Sequence, residues 1–231
     1  MKRTVIAGSI AFLMLATAAL QAADQMTLYT SLPGANKMRI EGTANVIHPT
    51  WQIESPTIGG MMQVGPGFPM EPGQAVTPGK VEAKARVFIP VRSLKSIKED
   101  GSPYDAHMDE IMGEHLKEQQ FQMISYVLTD LTLKEAPKAK DAPYVFEAKG
   151  NLTIAGVTNA TTMTVNILPG VDPKGKTLQV TGNTAVKMTD YKVAPVDISI
   201  VGLAHIKTGD EVKLVFKWVL LQKKTAAAAA K

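Results

Sequence analysis

Apolar and polar side chains alternate with a two-residue period over long parts of this chain. In residues 144–167 the positions Tyr144, Phe146, Ala148, Leu152 and Ile154 fall on one face, while Glu147, Lys149, Asn151 and Thr153 fall on the other. After a turn placed at Gly156–Asn159, Met163, Val165 and Ile167 resume the apolar side against Thr162, Thr164 and Asn166. This is the strand period, because successive Cβ atoms point to opposite faces of a sheet. The segment therefore predicts a β-hairpin with one dry side and one wet side.

The same alternation marks residues 37–47, where Met38, Ile40, Ala44 and Val46 oppose Lys37, Arg39, Glu41 and Asn45. It marks residues 80–92, where Val81, Ala83, Ala85, Val87 and Ile89 oppose Lys80, Glu82, Lys84 and Arg86. Residues 177–188 repeat it with Leu178, Val180, Val186 and Met188, and residues 211–220 with Val212, Leu214, Phe216, Trp218 and Leu220. Many half-buried strands at fairly regular spacing predict an all-β sandwich or barrel. A closed barrel has no exposed edge, and no strand here carries the strong charge that protects one.

Two segments break the rhythm. Residues 59–79 hold Pro66, Pro69, Pro72 and Pro78 among glycines and methionines, which predicts a long loop over one end of the sheet. In Ser102–Leu116, Ala106, Ile111, Met112 and Leu116 recur at helical spacing and predict one short helix. Both segments carry methionines, and both are expected to cover a barrel end as a flexible apolar lid. No domain boundary or repeat is visible. The expected organisation is one barrel domain over residues 23–222 and a disordered, alanine-rich tail over residues 223–231.

The N-terminus sets the compartment. Lys2 and Arg3 precede an apolar run from Val5 to Leu20, and Ala22 supplies a small residue for cleavage, so residues 1–22 read as a signal peptide. An uncleaved anchor is disfavoured by an apolar core short of the roughly 20 residues that span a bilayer. A lipid-attached terminus needs a cysteine, and the chain has none. The expectation is a periplasmic protein, exported through a cleaved signal, with no stable membrane anchor. Removing Lys2 and Arg3 leaves 23 basic residues against 21 acidic ones, too even a balance for a nucleic-acid partner.

Candidate chemistry is sparse. The absence of cysteine excludes disulfides and thiolate catalysis. There is no Gly-x-Ser-x-Gly elbow, and no glycine loop between a strand and a helix to cradle phosphate. His107, Glu110 and Glu114 share the predicted helix, but a charged helix face in water explains them better than a zinc site, which needs three ligands in fixed geometry. His48, near Trp51 at a strand corner, reads as a buried histidine bonded to a carbonyl. Neither a metal nor a cofactor is expected, nor is enzymatic activity. What remains is an apolar interior in which Met61, Met62, Met70, Met108, Met112, Met123, Met163 and Met188 can fill a core or line an adaptable cavity.

Three stretches carry a resemblance. "ARVFIPVRSLKS" (Ala85–Ser96), "YDAHMDEIMGEHLKEQQFQMISYVLTDL" (Tyr104–Leu131) and "YVFEAKGNLTIAGVTNATTMTVNI" (Tyr144–Ile167) resemble the YceI-like family in order and spacing, over roughly residues 37–221. The most specific part is Gly-x-Leu-Thr-Ile-x-Gly-Val-Thr, Gly150–Thr158. The resemblance implies an antiparallel, lipocalin-like β-barrel around a long apolar ligand of isoprenoid or lipid type. Its ligand-facing residues would then come from the apolar phase already read: Val81, Ala83, Val87, Phe146, Leu152, Val165, Leu214, Phe216 and Trp218. The chain departs from the family at the front, where "MRIEGTANVIHPTWQIES" (Met38–Ser55) replaces the usual Asp-x-x-His-Ser strand. Two functions stay open: an exported carrier or sequestering protein, or an exported structural or stress-related barrel filled by its own side chains. Homodimer formation is open as well.

Overall fold

The computed structural model describes residues 26–45, 50–199 and 205–223. The expected signal peptide, His48 and the alanine-rich run lie outside the described residues. The elements are β1 (Thr27–Ser31), β2 (Lys37–Thr43), β3 (Thr50–Ser55), β4 (Gly59–Val64), β5 (Gly79–Val81), β6 (Ala83–Pro90) and β7 (Lys95–Ile97). Helix α1 (Ala106–His115) follows, then β8 (Met123–Glu135), β9 (Tyr144–Ile154), β10 (Val157–Asp172), β11 (Gly175–Lys187), β12 (Asp197–Ser199), β13 (His205–Lys207) and β14 (Glu211–Gln222). Strands β1, β4, β6, β8, β9, β10, β11 and β14 follow one another around a ring, and the pairing of β14 with β1 closes it. This is the closed antiparallel barrel that the alternation predicts.

One edge of β14 carries two strands: residues 220–222 pair with β1 and residues 213–217 with β2. Asn36 fills the break between them. Its side-chain oxygen accepts from the Val219 N–H at 2.8 Å, and its amide donates to the Leu32 carbonyl at 2.8 Å. Those bonds account for its burial, since a buried amide without partners is costly. Beyond β2, the wall continues through β3 to β7.

Local readings are refined in three places. The β9–β10 turn is tighter than expected: Ile154 pairs with Val157, leaving Ala155 (φ 47°) and Gly156 (φ 79°) as a two-residue turn. Both residues are left-handed, as the twist-matched type I′ hairpin turn requires. Thr158 and Asn159, expected in the turn, pair instead with Thr153 and Leu152. In residues 80–92, Glu82 separates β5 from β6: Arg86 stands opposite Val127 but Val81 opposite Leu131, so the register against β8 shifts by one residue, with the extra residue on the β5–β6 side. The largest correction concerns residues 59–79. Their first part is strand β4, paired with β1 and β6 and burying Met62 and Val64.

Only residues 65–78 form a loop, and they plug one barrel end. Phe68 stacks on Phe146 with ring centroids 5.7 Å apart. The Tyr144 hydroxyl is within reach of two loop carbonyls, Gln74 at 2.8 Å and Glu71 at 3.0 Å, while the Tyr29 hydroxyl points to the Met70 sulfur at 3.6 Å. Lys176, beyond the β10–β11 turn, pairs with Glu71 of the loop. Helix α1 lies at the opposite end. Asp105 caps it by accepting from the His107 N–H at 2.9 Å. His115 Nδ1 reaches the Ala194 carbonyl at 2.8 Å, and Asp109 accepts from the Ser96 N–H at 2.7 Å. The loop and the helix therefore do not share one end, contrary to the single lid expected from sequence.

Candidate ligand-binding cavity

Beyond the plug the barrel interior is hollow. The inward positions that hold Tyr29, Phe68, Tyr144 and Phe146 at the closed end give way to Ala85, Ala148, Met38, Met62 and Met163. Between these walls lies a cavity of about 110 Å³. Strand β6 contributes Ala85, Val87 and Ile89, β8 contributes Tyr126 and Leu128, and β9 contributes Ala148 and Leu152. Val165 of β10 and Leu214, Phe216 and Trp218 of β14 complete most of the wall. Its polar members, Ser125, Tyr126 and Thr184, are uncharged, and among the described residues no charged side chain lines the cavity.

Of the nine residues expected to face a ligand, Val87, Leu152, Val165, Leu214, Phe216 and Trp218 come together here. Phe146 does not; it is fully buried in the plug against Phe68. Val81 and Ala83 are half-buried against the core at the plugged end, outside the cavity wall. The reason is geometric. Alternation tells which face a residue is on, but not how far along the barrel it stands. The methionines divide similarly: Met62 and Met163 line the cavity, Met70 is in the plug loop, Met112 and Met188 pack against the core, and Met61, Met108 and Met123 are exposed.

Sequence reasoning missed Met38, Ala85, Ala148 and Tyr126. Small residues on the apolar phase were the available signal, since an inward alanine leaves space that an inward phenylalanine fills. Tyr126 stands opposite Val87 and Leu152 in the ladder and shares their inward face. The end of its ring lies against Gly150: a Cβ there would sit 2.4 Å from the ring's Cζ and 2.5 Å from the hydroxyl. Burial pushes the Tyr126 phenol up to about 12. The indole of Trp218, in contrast, donates to the Ser31 hydroxyl at 2.6 Å.

A second opening adjoins the cavity. Strands β10 and β11 pair from Thr164 and Asn183 toward their shared hairpin, but in the other direction β10 pairs only with β9 and β11 only with β14. They part to leave a cleft of about 410 Å³ lined by polar residues such as Thr161, Lys187 and Glu211. Thr184 lines both cleft and cavity. The 3-10 turn Thr189–Tyr191 borders the cleft, tied across by the Asn159 side-chain amide donating to the Asp190 carbonyl at 2.9 Å.

Among the described residues, no group of three His, Asp or Glu side chains is placed to hold a metal. His107 Nδ1 lies 3.4 Å from Glu110 on an exposed helix face. No described helix is long and apolar enough to cross a membrane.

The YceI-like domain signature matches residues 57–220 of the sequence. The chain belongs to the YceI-like family. The match begins after β3, so the front segment that departs from the family pattern lies outside it. No curated protein matches significantly in sequence. Among solved structures, a polyisoprenoid binding domain from Saccharophagus degradans is similar with a TM-score of 0.55 and 11% identity, over 84% of this chain and 98% of that one. BcnA from Burkholderia cenocepacia is similar with a TM-score of 0.51 and 14% identity, over 79% of this chain and 95% of that one. Both share the barrel fold with this YceI-like chain.

Proposed function

We propose that this YceI-like barrel is an exported carrier or sequestering protein that holds a long apolar molecule of isoprenoid or lipid type. The observation that carries the reading is the internal cavity of about 110 Å³, on whose wall the described residues place no charged side chain. Such a wall recognises apolar surface, and burying that surface contributes about 25 cal/mol per Å². Val87, Leu152, Val165, Leu214, Phe216 and Trp218 would touch the ligand, and Met38, Met62 and Met163 would repack around it. The similar barrel from Saccharophagus degradans, a polyisoprenoid binding domain, agrees with that ligand class. Uptake would use the side where β10 and β11 part, since residues 65–78 plug the other end. The role is binding rather than catalysis, in the periplasm, after cleavage behind Ala22.

Organic extraction of the purified protein followed by mass spectrometry should release a long-chain apolar compound. The folded, delipidated protein should then take up a long-chain isoprenoid probe. Failure of a folded sample to do so would favour the alternative, a barrel module filled by its own side chains. N-terminal sequencing of periplasmic material should start at Ala23.

A further inference from the structure

The cavity wall contains one fully buried side-chain polar atom that, among the described residues, has no hydrogen-bond partner. It is the Tyr126 hydroxyl. The neighbouring indole and the plug tyrosines are treated differently: Trp218, Tyr29 and Tyr144 each point their polar atom at a named acceptor. An unpaired buried hydroxyl costs stability that a phenylalanine would avoid. The chain nevertheless leaves room for this ring. Gly150 sits against it, and a Cβ at that position would stand 2.4–2.5 Å from the phenol carbon and oxygen, and 2.5 Å from the Val127 carbonyl oxygen. Gly150 also opens the Gly-x-Leu-Thr-Ile-x-Gly-Val-Thr stretch of the β9–β10 hairpin.

We infer that Tyr126 is the specificity residue of the cavity, donating its hydroxyl proton to a single neutral oxygen, a hydroxyl or carbonyl, carried by the otherwise apolar ligand. This rests on the carrier reading and narrows it. The oxygen is neutral because, among the described residues, no Lys, Arg or His lines the cavity, and an ionised phosphate or carboxylate brought in without a cation would lose its hydration uncompensated. The phenol is the donor because burial keeps it protonated far above neutral pH. Its position over Gly150, between Val87 and Leu152, sets the oxygen inside the barrel and the chain along the apolar wall.

The test compares three probes on delipidated protein: geranylgeraniol, the hydrocarbon lacking its hydroxyl, and geranylgeranyl phosphate. Binding is read from the change in intrinsic tryptophan fluorescence, to which Trp218 on the cavity wall contributes alongside Trp51. The parent protein should prefer the alcohol to the hydrocarbon about tenfold, which corresponds to about 1.4 kcal/mol, and should bind the phosphate more weakly than the alcohol. Tyr126→Phe should erase the preference and keep or raise thermal stability. Gly150→Ala, which retains the hydroxyl but crowds both the ring and the Val127 carbonyl, should erase it too in the folded fraction. Equal binding of alcohol and hydrocarbon by the parent, or a preference surviving in Tyr126→Phe, overturns the assignment while leaving the carrier reading standing. Tighter binding of the phosphate overturns the neutral-oxygen part. Folded parent protein that binds none of the three overturns the carrier reading and this inference with it.

Discussion

The two halves of this barrel are built from the same strands and the same alternation, yet one is solid and the other hollow. At the plugged half, Tyr29, Phe68, Tyr144, Phe146, Leu178 and Leu220 are buried to the last few per cent, and the loop over residues 65–78 lies on top of them. In the hollow half the corresponding inward positions are Ala85, Ala148, Met62 and Met163, and a cavity separates the walls. Strand β9 spans both: Phe146 fills the plug, and two residues on Ala148 leaves room. Binary pattern is therefore not what decides between a filled and a ligand-bearing barrel. Side-chain volume at each height does.

The contrast predicts that substitutions act on stability in one half and on binding in the other. The largest effect should come from Phe146→Ala, which removes a fully buried ring and its stacking partner for Phe68. Loss of a buried aromatic costs about 3–5 kcal/mol, measurable as a lower midpoint in denaturant titration. Probe affinity, measured where the variant is still folded, should change little.

Adding volume should separate the halves in the opposite way. Ala83 points inward but packs against the core at the plugged end, so Ala83→Trp is expected to cost about 1–3 kcal/mol by overpacking, with ligand affinity unchanged in the folded fraction. Ala148 lines the cavity, so Ala148→Leu has space to enter. Filling it should hold or raise stability, by about 0.5–2 kcal/mol, while reducing uptake of an isoprenoid probe at least about tenfold. If Ala148→Leu destabilises the barrel as Ala83→Trp does, the two halves are equally packed in solution and the distinction fails.

This division also explains what could be read from the sequence. Strands β2, β6, β9, β10, β11 and β14 were visible because each shows a run of alternation with polar or charged residues on the wet face. Strand β4 was hidden: it starts on Gly59-Gly60, runs straight into a proline-rich loop, and is recognisable only from its pairing with β1 and β6. For the site, the inward face was legible but height was not, which is why Phe146 and Ala83 were grouped with Leu152 and Phe216. Height depends on barrel stagger and on bulges such as the one at Leu128–Asp130, both products of long-range pairing. Tyr126 was missed for the same reason. Nothing in its immediate neighbourhood announces that its ring rests on Gly150, twenty-four positions away.

The smallest expected effect concerns how the hollow end is dressed. Helix α1 is fastened there through Asp109, which accepts from the Ser96 N–H at 2.7 Å and lies 3.3 Å from the Lys95 ammonium. Burial alone would raise its pKa, but the hydrogen bonds from Ser96 and the charge and hydrogen bond of Lys95 outweigh it and hold the carboxyl below its ordinary value. Asp109 thus stays ionised in the folded protein at a pH where the unfolded chain already takes up the proton. Its contribution is complete above the ordinary carboxylate range and fades as pH falls through that range toward the depressed folded value. Asp109→Asn should cost about 1 kcal/mol near neutral pH and flatten the acid side of the stability profile. Hydrogen exchange should rise in α1 and β7, with the plugged end untouched. Equal acceleration at Tyr144 and Phe146 would show that the two ends unfold as one unit, and that the helix is part of the barrel's stability rather than a cover fastened to its hollow half.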